Sequence, residues 1–427
     1  MHITVIAIST LVLICDAYDA LGMGYVAPAM SDAWQLAKGE FAPVFASGLL
    51  GLMVGAIILG PLADMFGGRA MILCCLFLFG TLTLLTVTIS TVESLTALRF
   101  ATGVTLGGAL PNIIALTSEF MPLRRRTLIA TILAICFNLG AAIAGFCAAA
   151  LIPHYGWQSV FWLGGLFPLL VLPFVWRWLP ESLYFMVRKE KRRGDLVATL
   201  KRIDPELVFE QNAIFVVPEE RPKGFPVKQL FTEGRGILTI LVWVFTLTHT
   251  GALWFVNNWV PTLVHNAGFS ISQAASSTAI FQFGGILGAL ALGVLVDWKG
   301  LRVIAVATVG ATILIALIGI LGTSVAIIFA SSFAAGALVV GTTQCWNGYT
   351  GAVLYTGFIR STGAAWAIAA GRLGAVLIGS LAAGWLVHLN LSQELTFMVG
   401  ASPEVIAAIT IYALFLVQAQ RLRQQYS

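Results

Sequence analysis

The stretch Gly60-Pro-Leu-Ala-Asp64-Met-Phe-Gly67-Gly-Arg69 returns later in the chain as Gly293-Val-Leu-Val-Asp297-Trp-Lys-Gly300-Leu-Arg302. Glycine, aspartate, glycine and arginine keep identical spacing, and each copy follows an apolar stretch long enough to cross a bilayer. A polar signature repeated behind matching hydrophobic segments points to a duplicated helical unit in a membrane.

Working outward from the repeat, apolar runs mark twelve spans. They lie at about 3 to 30, 42 to 63, 70 to 89, 94 to 118, 127 to 150, 157 to 179, 236 to 262, 273 to 296, 302 to 322, 325 to 356, 362 to 387 and 403 to 418. The composition agrees: of 427 residues, 59% are apolar and only 10% charged, against roughly 25% charged in a soluble domain. No aqueous fold hides that much apolar surface, which excludes the soluble enzyme classes. The polar segment from Pro180 to Arg235 divides the spans six and six. The expected fold is therefore an all-α membrane protein with twelve transmembrane helices in two six-helix bundles. Residues 1–179 form the first bundle, 180–235 a cytoplasmic central loop and 236–427 the second bundle.

The charge distribution orients this arrangement. Of the 24 Lys and Arg residues, twenty fall on one side of the span pattern, and Arg177 sits at that same face. Lys38 alone occupies the opposite side, while Arg99 and Arg372 lie inside spans. By the positive-inside rule the crowded side is cytoplasmic, so both termini and the central loop face the cytoplasm of a plasma (inner) membrane. The net charge of +5 thus reflects topology, and no nucleic-acid partner is expected. The six cysteines all fall in apolar stretches without CxxC spacing or a histidine cluster, so neither disulfides, a metal nor a cofactor is expected. The first span begins at Ile3 with no positive lead and carries two aspartates, unlike a cleavable signal peptide.

The Gly-x-Leu-Ala-Asp-x-x-Gly-x-Arg loop and its second copy resemble the signature of the major facilitator superfamily, as does Pro180-Glu181-Ser182. Within it, Asp16-Ala-Tyr-Asp19 in span one resembles the aromatic acid:proton symporter family. So do Arg99 to Asn112 in span four, with Gly103, Gly107, Gly108 and Pro111, and Asn258-Trp259-Val-Pro261 in span seven. The likeness implies the major facilitator fold and import of a small aromatic carboxylate, of the 4-hydroxybenzoate, protocatechuate, gallate or benzoate type, by a protein working as a monomer. It also implies that Asp16 and Asp19 are needed for transport, and it draws Asn112 into the substrate contacts. Ala17 and Met65 depart from the family's usual glycine and basic residue. The hydrophilic lead common before span one is missing, which leaves open a longer start.

Intramembrane charges cost several kcal/mol unless answered, so each is a functional candidate. Asp16 and Asp19, three apart, share one face of helix one, about 20 and 24 Å from the cytoplasmic end. A buried carboxylate pair of this kind suits a proton carrier. Arg99 lies near the depth of Asp16 and can meet either the aspartates or a substrate carboxylate; Arg372, about 15 Å deep, is its counterpart in the second half. His249 is a second candidate proton site, a core histidine being the alternative. Trp254, Asn257, Asn258 and Trp259 in span seven, with Gln344, Trp346 and Asn347 in span ten, offer aromatic faces and amides to a hydroxylated ring. Glu119, also a candidate proton-coupling acid, is expected to form a cytoplasmic latch with Asp64, Arg69 and Arg124, and with Gly60 and Gly67; Asp297, Arg302 and Arg360 repeat it.

The resulting expectation is alternating access with proton symport. The alternatives are a symporter of non-aromatic organic anions, a drug exporter and a membrane enzyme acting on lipid. For the last, the chain shows no clustered nucleophile, metal or paired-acid motif at an interface.

Overall fold

The computed structural model describes residues 2–122, 126–189, 192–203, 209, 215, 226–232, 235–321, 324–355 and 359–426. Among the described residues, twelve helical segments are long and apolar enough to span a bilayer. The first six are α1 (His2–Trp34), α2 (Ala42–Phe66), α3 (Gly68–Leu85), α4 (Val92–Glu119), α5 (Arg126–Tyr155) and α6 (Gln158–Trp178). Short helices α7 (Leu183–Arg188), α8 (Arg193–Ile203) and α9 (Pro226–Gln229) follow. Next come α10 (Gly236–Asn266), α11 (Ile271–Lys299), α12 (Leu301–Leu321) and α13 (Val325–Tyr349). The eleventh span joins α14 (Arg360–Val376) to α15 (Ala383–His388) through a π-turn over Leu377–Ala382, and the twelfth joins α16 (Gln393–Gly400) to α17 (Ser402–Tyr426). Large apolar side chains such as Ile57, Leu170, Val306 and Ile409 point outward. In a chain of twelve apolar helices that is the lipid-facing surface of a multi-pass membrane protein.

Two boundaries differ from the sequence expectation. The repeated motif does not begin a loop, because α2 continues through Asp64 to Phe66 and α11 through Asp297 to Lys299. The turns come only at Gly67 (φ 107°) and Gly300 (φ 58°), backbone states that favour glycine. The twelfth span starts near residue 393 and not 403. Ser392 caps α16 by accepting from the Leu395 N–H, and the chain turns at Ala401 just before Pro403. Pro403 lacks the N–H that would continue α16. Glu404 therefore lies inside a span.

The duplication runs well beyond the motif. A shift of 233 residues, the separation of Asp32 from His265, carries Asp64, Gly67 and Arg69 onto Asp297, Gly300 and Arg302. It also carries Pro28 of α1 onto Pro261 of α10, and the α4 cap Thr91 onto the α13 cap Ser324. Packing repeats too. A methyl at Gly51 or Gly55 of α2 would overlap the backbone of Phe100 or Val104 in α4, and Gly284 and Gly288 of α11 stand likewise against Phe333 and Ala337 of α13. Lipid gives helices no hydrophobic reason to associate, so close backbone approach of this kind supplies the packing.

The chain folds into two compact units: Met1–Ala20, Leu50–Gly140 and Phe161–Arg221 form one, and Leu21–Leu49, Ala141–Val160 and Pro222–Ser427 the other. The core of the first is built where Val5, Ile8 and Val12 of α1 meet Ile72 and Phe79 of α3 and Val175 of α6. The core of the second gathers Val242 and Phe245 of α10, Ile304 of α12, Trp346 of α13 and Ile411 of α17.

Candidate functional site

In the first unit, Asp19 and Arg99 form a buried ion pair. Arg99 Nη1 donates to Asp19 Oδ2 at 3.2 Å, and both residues are at most 5% exposed. The other carboxylate oxygen accepts from Thr83 Oγ1 at 2.6 Å. The Arg99 guanidinium also lies 4.9 Å from the Phe161 ring, a cation–π contact that holds it in place. Its Nε and Nη2 are buried and have no hydrogen-bond partner among the described residues. Those two nitrogens form the side-on fork with which arginine grips a carboxylate bidentately. Buried donors are normally satisfied, so two unsatisfied nitrogens on one buried cation are an exception that leaves the guanidinium with donors to spare.

Asp16, one turn earlier on α1, is buried to 3% exposure. Asn112 is half-buried in α4 and gives its Nδ2 to the Gly108 carbonyl at 2.7 Å. Glu119 sits at the far end of α4, where its carboxylate accepts from Ser182 Oγ (2.8 Å) and the Leu183 N–H (2.7 Å).

The motif residues meet that same segment. Arg69 donates its backbone N–H to Glu181 Oε1 at 2.9 Å and its guanidinium to the Trp176 carbonyl, and Gly67 packs against the Glu181 carboxylate. Glu119 and Arg69 are thus joined through Glu181 and Ser182, while Asp64 is exposed and Gly60 half-buried on α2. Glu181 is a partner that sequence reasoning quoted without giving it a role. In the second copy, Arg302 lies 5.2 Å from the Phe415 ring and Asp297 is exposed. Arg124 and the Arg360 side chain fall outside the described residues.

In the second unit, His249 of α10 is 1% exposed and engaged on both sides. Its Nδ1 lies 2.7 Å from Glu404 Oε1 and its Nε2 3.0 Å from Thr343 Oγ1. Sequence reasoning missed Glu404 because it took residue 403 as the start of the span, which made the acid look interfacial. The Phe245 ring stacks on the imidazole at 5.2 Å and touches Trp346, whose Nε1 donates to Thr246 Oγ1 at 2.8 Å. Trp346 and Trp259 are each 1% exposed, the latter edge-on to Phe45 at 5.2 Å. Both rings are enclosed by protein. Asn257 and Asn258 are buried; Asn257 Oδ1 has no partner among the described residues, and Asn258 Nδ2 reaches Ser380 Oγ at 3.3 Å. Trp254, Gln344 and Arg372 are half-buried, and Asn347 is exposed.

At the Lys38 end of this unit, α1 and α10 touch. A methyl at Gly24 would overlap the Asn257 carbonyl, and Asp32 Oδ2 lies 2.9 Å from His265 Nε2. Neither Asp32 nor His265 was singled out by sequence. Among the described residues no group of three or more His, Cys, Asp or Glu side chains could hold a metal.

Comparison with known proteins adds to this geometry. The model of the Major Facilitator Superfamily matches residues 9–368. The chain is 33% identical over 410 residues to the gallate transporter of Pseudomonas putida, covering 96% of this chain and 91% of that protein. It is also 33% identical over 425 residues to the 4-hydroxybenzoate transporter PcaK of Pseudomonas putida, covering 97% and 92%. Among solved structures, the xylose transporter XylE from E. coli, in a partially occluded inward open conformation, matches with a TM-score of 0.70 at 16% identity. That match covers 96% of this chain and 97% of the other.

Proposed function

The chain belongs to the major facilitator superfamily and is a membrane transporter, not an enzyme, and on that premise we propose that it imports a small aromatic carboxylate together with protons. The observation that carries the proposal is the Arg99 fork: one nitrogen is tied to Asp19 while Nε and Nη2 await an acceptor. A carboxylate is the planar two-oxygen group that fits it. The relatives named for gallate and 4-hydroxybenzoate support an aromatic acid as its owner.

In this reading Asp16 and Asp19 take up protons from the Lys38 side. Protonation of Asp19 removes the charge that holds Arg99 Nη1, and the guanidinium turns fully to the incoming carboxylate. Arg372, Asn112, Trp254, Asn257, Asn258, Gln344 and Asn347 make the remaining substrate contacts, with Trp259 and Trp346 packed behind them. His249 supplies a further proton site. Residues 1–179 and 236–427 act as two six-helix halves joined by 180–235, alternating access about the site. The arginine-rich end, with both termini, faces the cytoplasm of the inner membrane. There Gly60, Asp64, Gly67, Arg69, Glu119 and Arg124 form one latch and Asp297, Arg302 and Arg360 its counterpart. Carrying more protons than negative charges couples import to the membrane potential, worth about 2.3 kcal/mol per charge per 100 mV. The transporter works as a monomer.

The test is uptake of radiolabelled 4-hydroxybenzoate, protocatechuate, gallate and benzoate by cells expressing the chain, with and without an uncoupler and against aliphatic acid competitors. Accumulation of at least one aromatic acid that the uncoupler abolishes is the expected result. Uptake indifferent to the uncoupler, or competed equally by aliphatic acids, would overturn the reading.

A further inference from the structure

Hydrogen-bond bookkeeping around His249 fixes how many protons that site holds. Thr343 has one hydroxyl hydrogen and gives it to the Val339 carbonyl at 2.9 Å. It can therefore meet His249 Nε2, 3.0 Å away, only as an acceptor, so Nε2 carries a hydrogen. On the other side Nδ1 and Glu404 Oε1 are 2.7 Å apart. With no proton between them two lone pairs would face each other at that distance. One proton, on either the ring or the carboxyl, turns repulsion into a strong hydrogen bond.

The surroundings make that proton consequential. Glu404 is wholly buried, and its Oε2 has no partner among the described residues. Its place in the first turn of α17 gives the anion some help from the helix dipole. The elements packed around the pair carry few other ionisable groups. These are His265 on α10, Asp297 and Lys299 on α11, Arg302 on α12, Cys345 and Tyr349 on α13, Arg360 and Arg372 on α14, His388 on α15, Glu394 on α16, and Tyr412, Arg421, Arg423 and Tyr426 on α17. Arg372 lies at the level of the pair along α10, because Gly371 beside it packs against Thr246 and Thr250 on either side of His249. Protonated, the pair is neutral as a unit; deprotonated, it carries one negative charge at the height of that arginine.

The repeat gives the site a precedent. The 233-residue shift that carries Asp64 onto Asp297 carries Asp16 onto His249. The same turn of the duplicated helix thus holds a titratable group in both copies.

We propose that His249 and Glu404 form a second proton-binding unit, one that holds a single shared proton and releases it in each transport cycle, with Thr343 setting the histidine tautomer. This rests on the proton-coupled reading above. Glu404 is the new member, and the ligand of the site is a proton.

The experiment uses the full chain in proteoliposomes and two assays of labelled 4-hydroxybenzoate: gradient-free counterflow, and accumulation driven by an imposed proton gradient. Glu404→Gln is expected to go on exchanging substrate. Losing one proton per cycle would lower its limiting accumulation by about fifty-fold per 100 mV of driving force. Wild-type accumulation in this variant would overturn the proposal and make the pair a structural tie between helices. Should it lose counterflow as well, Thr343→Val decides, since it keeps both titrating groups and frees the ring to change tautomer. A displaced pH profile of accumulation supports the proposal, and an unchanged profile overturns it. A wild-type protein that exchanges substrate but ignores the gradient would sink the proton-coupled reading itself, a failure distinct from that of the pair.

Discussion

His265 meets Asp32 with its other ring nitrogen already committed: Nδ1 lies 2.9 Å from the Phe269 carbonyl while Nε2 lies 2.9 Å from Asp32 Oδ2. Both partners are acceptors, so the contact is complete only when both nitrogens carry hydrogens. Asp32→Asn removes the charge that the ring meets, so spin labels placed beside residues 32 and 265 should show a broader distance distribution in that variant than in the wild type. The pair is partly exposed, with side-chain exposures of 23% and 60%. The shift in population should therefore be modest, on the order of the 0–1 kcal/mol of a surface ion pair.

The buried pair of Asp19 and Arg99 predicts two distinct losses. Asp19→Asn removes one proton-carrying acid and should lower gradient-driven accumulation, by about fifty-fold per 100 mV of driving force, while counterflow persists. Arg99→Lys keeps the charge but not the fork, so it should raise KM for aromatic carboxylates about tenfold or more, the scale of one charge-assisted hydrogen bond. Arg99→Lys with unchanged KM would remove the fork from the binding site.

At the arginine-rich end, Gly67→Ala should destabilise the protein by about 1–3 kcal/mol. It puts a side chain at φ 107° against the Glu181 carboxylate. Thermal unfolding followed by size-exclusion fluorescence should show a lowered transition. Glu181→Ala should relieve only the contact, leaving the backbone penalty in the double variant.

Gly24 sets the distance between α1 and α10, since any side chain there meets the Asn257 carbonyl. Gly24→Val should force the helices apart at the Lys38 end. Cysteine cross-linking between residues 32 and 265 should then fall, whereas equal cross-linking would show that the helices adjust elsewhere.

The fold was readable because lipid demands long apolar runs, and the repeated glycine–aspartate–glycine–arginine spacing exposed the duplication. Boundaries were harder. The helical continuation through Asp64 was hidden because charged residues at a membrane edge read as loop, and the early start of the last span was hidden because Pro403 reads as a beginning. The second error concealed Glu404. Asp19 and Arg99 were legible as lone intramembrane charges, and the structure pairs them. Trp259 and Trp346 were not, because a tryptophan in a sequence looks the same whether it lines a cleft or fills a core. Asp32 and His265 escaped because each looks like an ordinary polar residue at a helix end; only the approach of α1 to α10 gives them meaning.

The partnership of Asp32 with His265 also bears on ancestry. The two residues hold matching places in the duplicated units. In an ancestral assembly of two identical subunits, whichever side chain stood there would have confronted its own copy, acid against acid or ring against ring. An attractive acid–base contact at such a place could arise only once the two copies were separately encoded and free to diverge, so this contact is younger than the duplication that made the two halves.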